Sequence, residues 1–167
     1  MQNYVGVMVL WFLCALATIG AAVLAHRSWQ ARYVGRVAVG LLFVFGGALV
    51  HVSNLVAGSD YSGFANPSYF AWVARAWETV VVPNHVLFIG LLAAFEAVVG
   101  VLAVCGGRWT WLAYQGVLGF YLLLWLFGWM ETVWVLVMLP MMLLLSRAEW
   151  RAGTGGHAKR HRVGVGA

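Results

Sequence analysis

The stretch WLAYQGVLGFYLLLWLFGWMETVWVLVMLPMMLLLSR, residues 111–147, is almost continuously apolar, and the number of times it crosses a membrane decides the fold. As one straight helix rising 1.5 Å per residue it would reach about 55 Å, against about 30 Å of hydrocarbon in a bilayer. Gly128, Trp129 and Glu131 interrupt the run. The stretch therefore reads as a tight hairpin of two spans, over 111–128 and 130–147.

Working outward, three more apolar runs of spanning length precede it, over 4–25, 36–57 and 85–105. The chain is 63% hydrophobic and only 9% charged, where soluble domains carry about a quarter charged residues. Strand-like alternation is missing, which excludes a β-barrel. The expected fold is all-α: a polytopic transmembrane helical bundle forming one domain over 1–150, followed by a basic tail over 151–167. The opening MQNYVGVMVL has no positively charged region of the secretory kind, so the first run reads as a retained helix.

Placing the first residues outside puts Arg27, Arg32, Arg36, Arg108, Arg147, Arg151, Lys159, Arg160 and Arg162 on the cytoplasmic side, leaving only Arg75 of the 10 basic residues opposite. This asymmetry predicts an outside N-terminus and a cytoplasmic C-terminus in the cell membrane. The net charge of +5 then answers to anionic lipid headgroups as partners, and nucleic acid is not expected. His157 and His161 sit at helical spacing in the tail, but two ligands do not close a metal site.

Between the second and third spans lies AGSDYSGFANPSYFAWVARAWETVVVPNH. Asn66-Pro67 is a helix start and Pro83 a stop, which predicts a short interfacial helix over 67–81. Tyr69, Phe70, Trp72, Val73, Ala76, Trp77 and Val80 would form its apolar face, with Arg75 and Glu78 spaced i,i+3 beside it. Two readings stand: an aromatic anchor at headgroup depth, or a lid over a cavity between spans.

The residue that demands explanation is Glu96, the lone acid of FIGLLAAFEAVVGVLAV, residues 88–104. It lies about 16 Å inside the third span, near the midplane. A carboxylate facing lipid there is costly, so Glu96 is expected to face the bundle interior, protonated or paired. Ala93, Ala97 and Gly100 flank it and let another helix approach. Candidate neighbours are His51 and Asn54 on the second span, Gln115 and Tyr121 on the fourth, and Glu131 at the hairpin. These residues either brace the helices through hydrogen bonds or form a site for a quinone headgroup or a proton; the sequence leaves both open.

Haem is not expected, because His51 and His85 differ by about 9 Å in depth. His85, Glu131 and Asp60 form a second candidate site toward the outer face, without metal-ligand spacing. Met138, Met141 and Met142 around Pro140 read as packing at a kink rather than copper ligands. Cys14 and Cys105 form no CxxC motif, and phosphate loops, nucleophile elbows and paired catalytic carboxylates are missing.

GRVAVGLLFVFGGALVHV and the later FIGLLAAFEAVVGVLAVCGGRWTWLAYQGVLGF resemble the DoxX-like family of small four-helix membrane proteins. Arg36, Gly40, Gly47, Glu96, Gly100, Gly106, Gly107 and Arg108 occupy matching positions, and the resemblance covers about residues 36–147. It implies association with membrane redox chemistry, quinone-linked in some members. The first helix and the long aromatic loop depart from the pattern and suggest a surface for a protein partner or a second copy. The expectation is a redox-associated membrane protein whose cavity is lined by Glu96, His51 and Arg36, with a quinone as ligand; whether it is an enzyme stays open. The alternative is a non-catalytic scaffold or accessory subunit, and a small transporter is a weaker third class for want of an inverted repeat.

Overall fold

The computed structural model describes residues 2–163, with side chains described over 5–153. Among the described residues seven α-helices run in order: α1 Gln2–Leu24, α2 Trp29–Leu41, α3 Leu49–Val56, α4 Ala71–Ala76, α5 His85–Cys105, α6 Gly107–Leu124 and α7 Trp129–Val163. Several join without a break. A π-helical segment, Leu42–Ala48, links α2 to α3, and π and 3-10 turns over Trp77–Val81 and Val82–Asn84 link α4 to α5. Five of the resulting helices are long and apolar enough to cross a membrane: Val5–Leu24, Trp29–Val56, Ala71–Cys105, Gly107–Phe127 and Trp129–Gly153. The chain is an all-α membrane protein, and the hairpin read into residues 111–147 is present.

The boundaries differ from the expected ones in ways with physical causes. The second helix starts at Trp29, not 36, because the Ser28 hydroxyl caps it by accepting from the Ala31 amide at 3.3 Å. The helix predicted over 67–81 starts later, at Ala71, and runs into α5 without a break. Asn66-Pro67 lies in a series of turns, helix begins at Ala71, and Pro83 continues the helical path instead of stopping it. Proline suits the first turn of a helical segment, where its missing amide costs nothing. The tail expected from residue 151 begins as a continuation of α7; the side chains of His157 and His161 lie outside the described residues.

The spans close into a ring in which α1 packs on α2, α2 on α5, α5 on α6, α6 on α7 and α7 back on α1. Small residues set the closest approaches. A Cβ on Gly40 or on Gly100 would lie 3.0 Å from the other's carbonyl oxygen, so α2 and α5 touch backbone to backbone there. The ring is filled by Phe43, Tyr114, Val117, Tyr121, Met138, Met142 and Leu145. Met138 and Met142 are thus core packing. Outward faces carry Phe12, Leu16, Leu91, Val98, Leu123 and Leu136, exposed as lipid-facing side chains are.

The loop between α3 and α4 is fastened to the turn between α6 and α7. The Ser68 hydroxyl donates to the Leu126 carbonyl at 2.7 Å, and Phe64, Trp77 and Phe127 pack as a three-ring cluster. Gly128 has φ 143°, and a Cβ there would sit 2.9 Å from the Pro67 carbonyl oxygen. Gly128→Ala is therefore expected to detach the loop, costing about 1–3 kcal/mol for a residue forced into glycine-only backbone. Limited proteolysis should show faster cleavage within residues 57–70, and an unchanged rate would show that Gly128 does not hold this contact.

Candidate functional site

Glu96 projects from the middle of α5 to the inner side of the ring, where only 5% of it is exposed. Its carboxyl group is seated on Gly47. A Cβ at residue 47 would lie 2.6 to 2.8 Å from the Glu96 Cδ, Oε1 and Oε2 atoms, closer than a side chain tolerates. Gly47 belongs to the π-helical segment Leu42–Ala48, and such bulges gather at functional positions. The other glycine of the pair, Gly46, faces Trp11 of α1, whose Cδ1 would be 2.8 Å from an added Cβ.

One turn further along, His51 on α3 turns its Nε2 toward Glu96 Oε2 at 3.6 Å. That is ion-pair range but too long for a hydrogen bond, and Glu96 Oε2 has no hydrogen-bond partner among the described residues. The imidazole is held from its far side by Tyr61, whose hydroxyl lies 3.0 Å from Nδ1. Tyr61 also interacts with Asn54, and burial pushes its phenol up from the ordinary range. Tyr61 itself adopts φ 60°, the left-handed region, and its carbonyl accepts from the Trp77 indole at 3.0 Å. A non-glycine residue held there is a sign of local constraint.

Beside the carboxyl group opens a cavity of about 290 Å³, at the lower end of ligand-pocket sizes. Its aromatic walls are Trp11, Phe43, Phe120, Tyr121 and Trp134, and Glu131 stands at one end. Trp11 and Trp134 stack with ring centroids 3.8 Å apart, joining α1 to α7 across the cavity.

The expected site residues thus divide. Glu96, His51, Asn54, Tyr121 and Glu131 come together around this region. Arg36 does not: its guanidinium binds Glu149 through two hydrogen bonds, at 2.8 and 2.6 Å, from the second half of α2. Arg36 and Gly47 are eleven positions apart on one helical path, or about 16 Å, which removes Arg36 from the cavity. Gln115 is also elsewhere, donating to the Ser146 hydroxyl at 2.7 Å.

The outer set of His85, Glu131 and Asp60 divides: Asp60 and His85 lie within electrostatic reach of one another, and Glu131 is placed elsewhere. His85 Nδ1 lies 2.9 Å from the Val82 carbonyl, and Glu131 serves the cavity. Asp60, fully exposed, accepts from the Ser62 amide at 2.9 Å, which holds its carboxyl below the usual range. Among the described residues no group of three metal-ligating side chains converges. The loop does not wall the cavity, as the lid reading required; Glu78 accepts from the Gly63 amide at 2.8 Å and folds the loop on itself.

Sequence reasoning missed Trp11, Tyr61 and Trp134. Tyr61 carries no pattern that announces it, whereas Trp11 and Trp134 could have been suspected as large amphipathic rings inside apolar spans. Neither a family model, nor a curated protein, nor a solved structure matches this chain.

Proposed function

We propose that this membrane protein binds a quinone-class molecule in the cavity beside Glu96, in association with redox or respiratory chemistry. The observation that carries the reading is the Glu96 carboxyl group: buried, lining the cavity, and with Oε2 left without a hydrogen-bond partner. An unsatisfied buried acceptor carries a cost of about 1–3 kcal/mol that a donor from a ligand would relieve. The aromatic walls suit a flat ring, and the lateral lipid suits its isoprenoid tail. In this reading Glu96 takes the hydrogen bond of the ring oxygen and His51, steadied by Tyr61, holds the carboxyl in place.

The resemblance of residues 36–147 to the DoxX-like family supports the same reading. Its matching positions are partners in space: Gly40 with Gly100, Gly47 with Glu96, and Gly106 with Arg36, whose Nη1 would be 3.2 Å from an added Cβ. The distribution of basic residues supports an outside N-terminus and a cytoplasmic C-terminus, which would set the cavity in the outer half of the membrane.

The test is titration of the detergent-solubilised protein with a short-chain hydroquinone, followed by tryptophan fluorescence. Wild type is expected to show saturable quenching, and Glu96→Leu about tenfold weaker binding, as for loss of the hydrogen-bond acceptor. Absence of saturable binding to the wild type would sink the proposal, and equal binding by Glu96→Leu would remove Glu96 from it.

A further inference from the structure

The polar chemistry of the cavity is one-sided, and the inference drawn from this rests on the quinone-class reading. Two carboxyl groups line it, Glu96 from α5 and Glu131 from the first turn of α7, with no lysine, arginine or histidine among the described residues of the lining. The remaining polar groups are the Tyr121 hydroxyl and the indoles of Trp11 and Trp134, and the Trp134 indole is engaged with Tyr121. Glu131 brings two acceptor oxygens to this wall, and the described lining offers it no cation.

The two redox forms of a quinone present opposite faces to such a wall. The oxidised ring offers carbonyl oxygens, which only accept; facing a carboxylate they gain no hydrogen bond and meet like partial charge. The reduced ring offers hydroxyl groups, which donate to a carboxyl oxygen in either protonation state of the acid. Glu96, with His51 Nε2 at 3.6 Å, does not discriminate when protonated, since a carboxylic acid donates to a ring carbonyl as well as accepting from a ring hydroxyl. For Glu131 the lining supplies no basic neighbour.

We infer that the cavity discriminates by redox state, holding the hydroquinone at least tenfold more tightly than the quinone, with Glu131 setting the difference. Quinone and hydroquinone differ by two electrons and two protons, so a tenfold preference for the reduced form raises the midpoint potential of the bound couple by about 30 mV.

The experiment uses the full chain in lipid nanodiscs and one short-chain quinone in both forms, the reduced form kept anaerobic, with binding measured by calorimetry. Wild type should favour the hydroquinone at least tenfold. Glu131→Gln should reduce the preference to below about threefold while Glu131→Asp retains it, and the thermal midpoints of both variants report that folding is intact. Equal or tighter binding of the oxidised form overturns the inference but leaves the quinone-class site standing. An unchanged preference in Glu131→Gln removes Glu131 from the role. Failure of both forms to bind overturns this inference and the reading beneath it together.

Discussion

Arg36→Ala is expected to destabilise the protein by roughly 3–5 kcal/mol, the cost of leaving one partner of a buried ion pair uncompensated. The guanidinium meets Glu149 through both carboxylate oxygens, and the Glu149 side chain is 1% exposed against 23% for Arg36. The pair should therefore respond asymmetrically. Removing arginine strands a carboxylate that water cannot reach, whereas Glu149→Ala leaves a long cation that can reorient toward the headgroups and should cost less. The double substitution Arg36→Met with Glu149→Leu should recover most of the loss. Thermal or denaturant unfolding in detergent, run as a double-mutant cycle, measures all three. Equal losses for the two single variants would show that the buried carboxylate is not the expensive partner.

The second large effect is expected at Gly47. An alanine methyl there would lie within 2.8 Å of all three carboxyl atoms of Glu96, so either the π-helical segment moves or the acid leaves its seat. Overpacking of this kind costs about 1–3 kcal/mol. Binding should be lost as well, since the displaced carboxyl no longer faces the cavity. Pairing Gly47→Ala with Glu96→Ala should return stability without returning binding. Unfolding curves and hydroquinone titrations on the three variants separate the two consequences, and a Gly47→Ala protein that binds normally would show that the carboxyl is not fixed by its glycine seat.

The parts of this molecule legible in the sequence were those written in long apolar runs. The five spans follow from hydrophobic length, and the inward aim of Glu96 follows from the cost of presenting an acid to lipid. His51 emerged as its neighbour from depth alone. Depth also held the answer for Arg36, because the same placement of charges put Arg36 and Glu149 at one end of the bundle; assigning the arginine to the cavity ignored a better partner 113 residues away. The stretch from Pro67 to Asn84 misled because proline was read as punctuation, when Pro83 occupies a first-turn position that helices accept. Tyr61 was invisible for a different reason. Its role depends on a left-handed backbone and on Trp77 holding its carbonyl, both products of tertiary packing.

The stack of Trp11 on Trp134 joins the earliest of the described helices to the latest. During synthesis, then, the pocket has no complete wall until the span of α7 has entered the bilayer. A nascent chain paused at the turn before Trp129 already carries Gly47 beneath Glu96 and Gly46 beneath Trp11, with Met130, Glu131 and Trp134 still to come. Under the proposed function, ligand competence and insertion of α7 arrive in the same event, so a pulse-labelled chain should resist extraction and acquire its binding behaviour together.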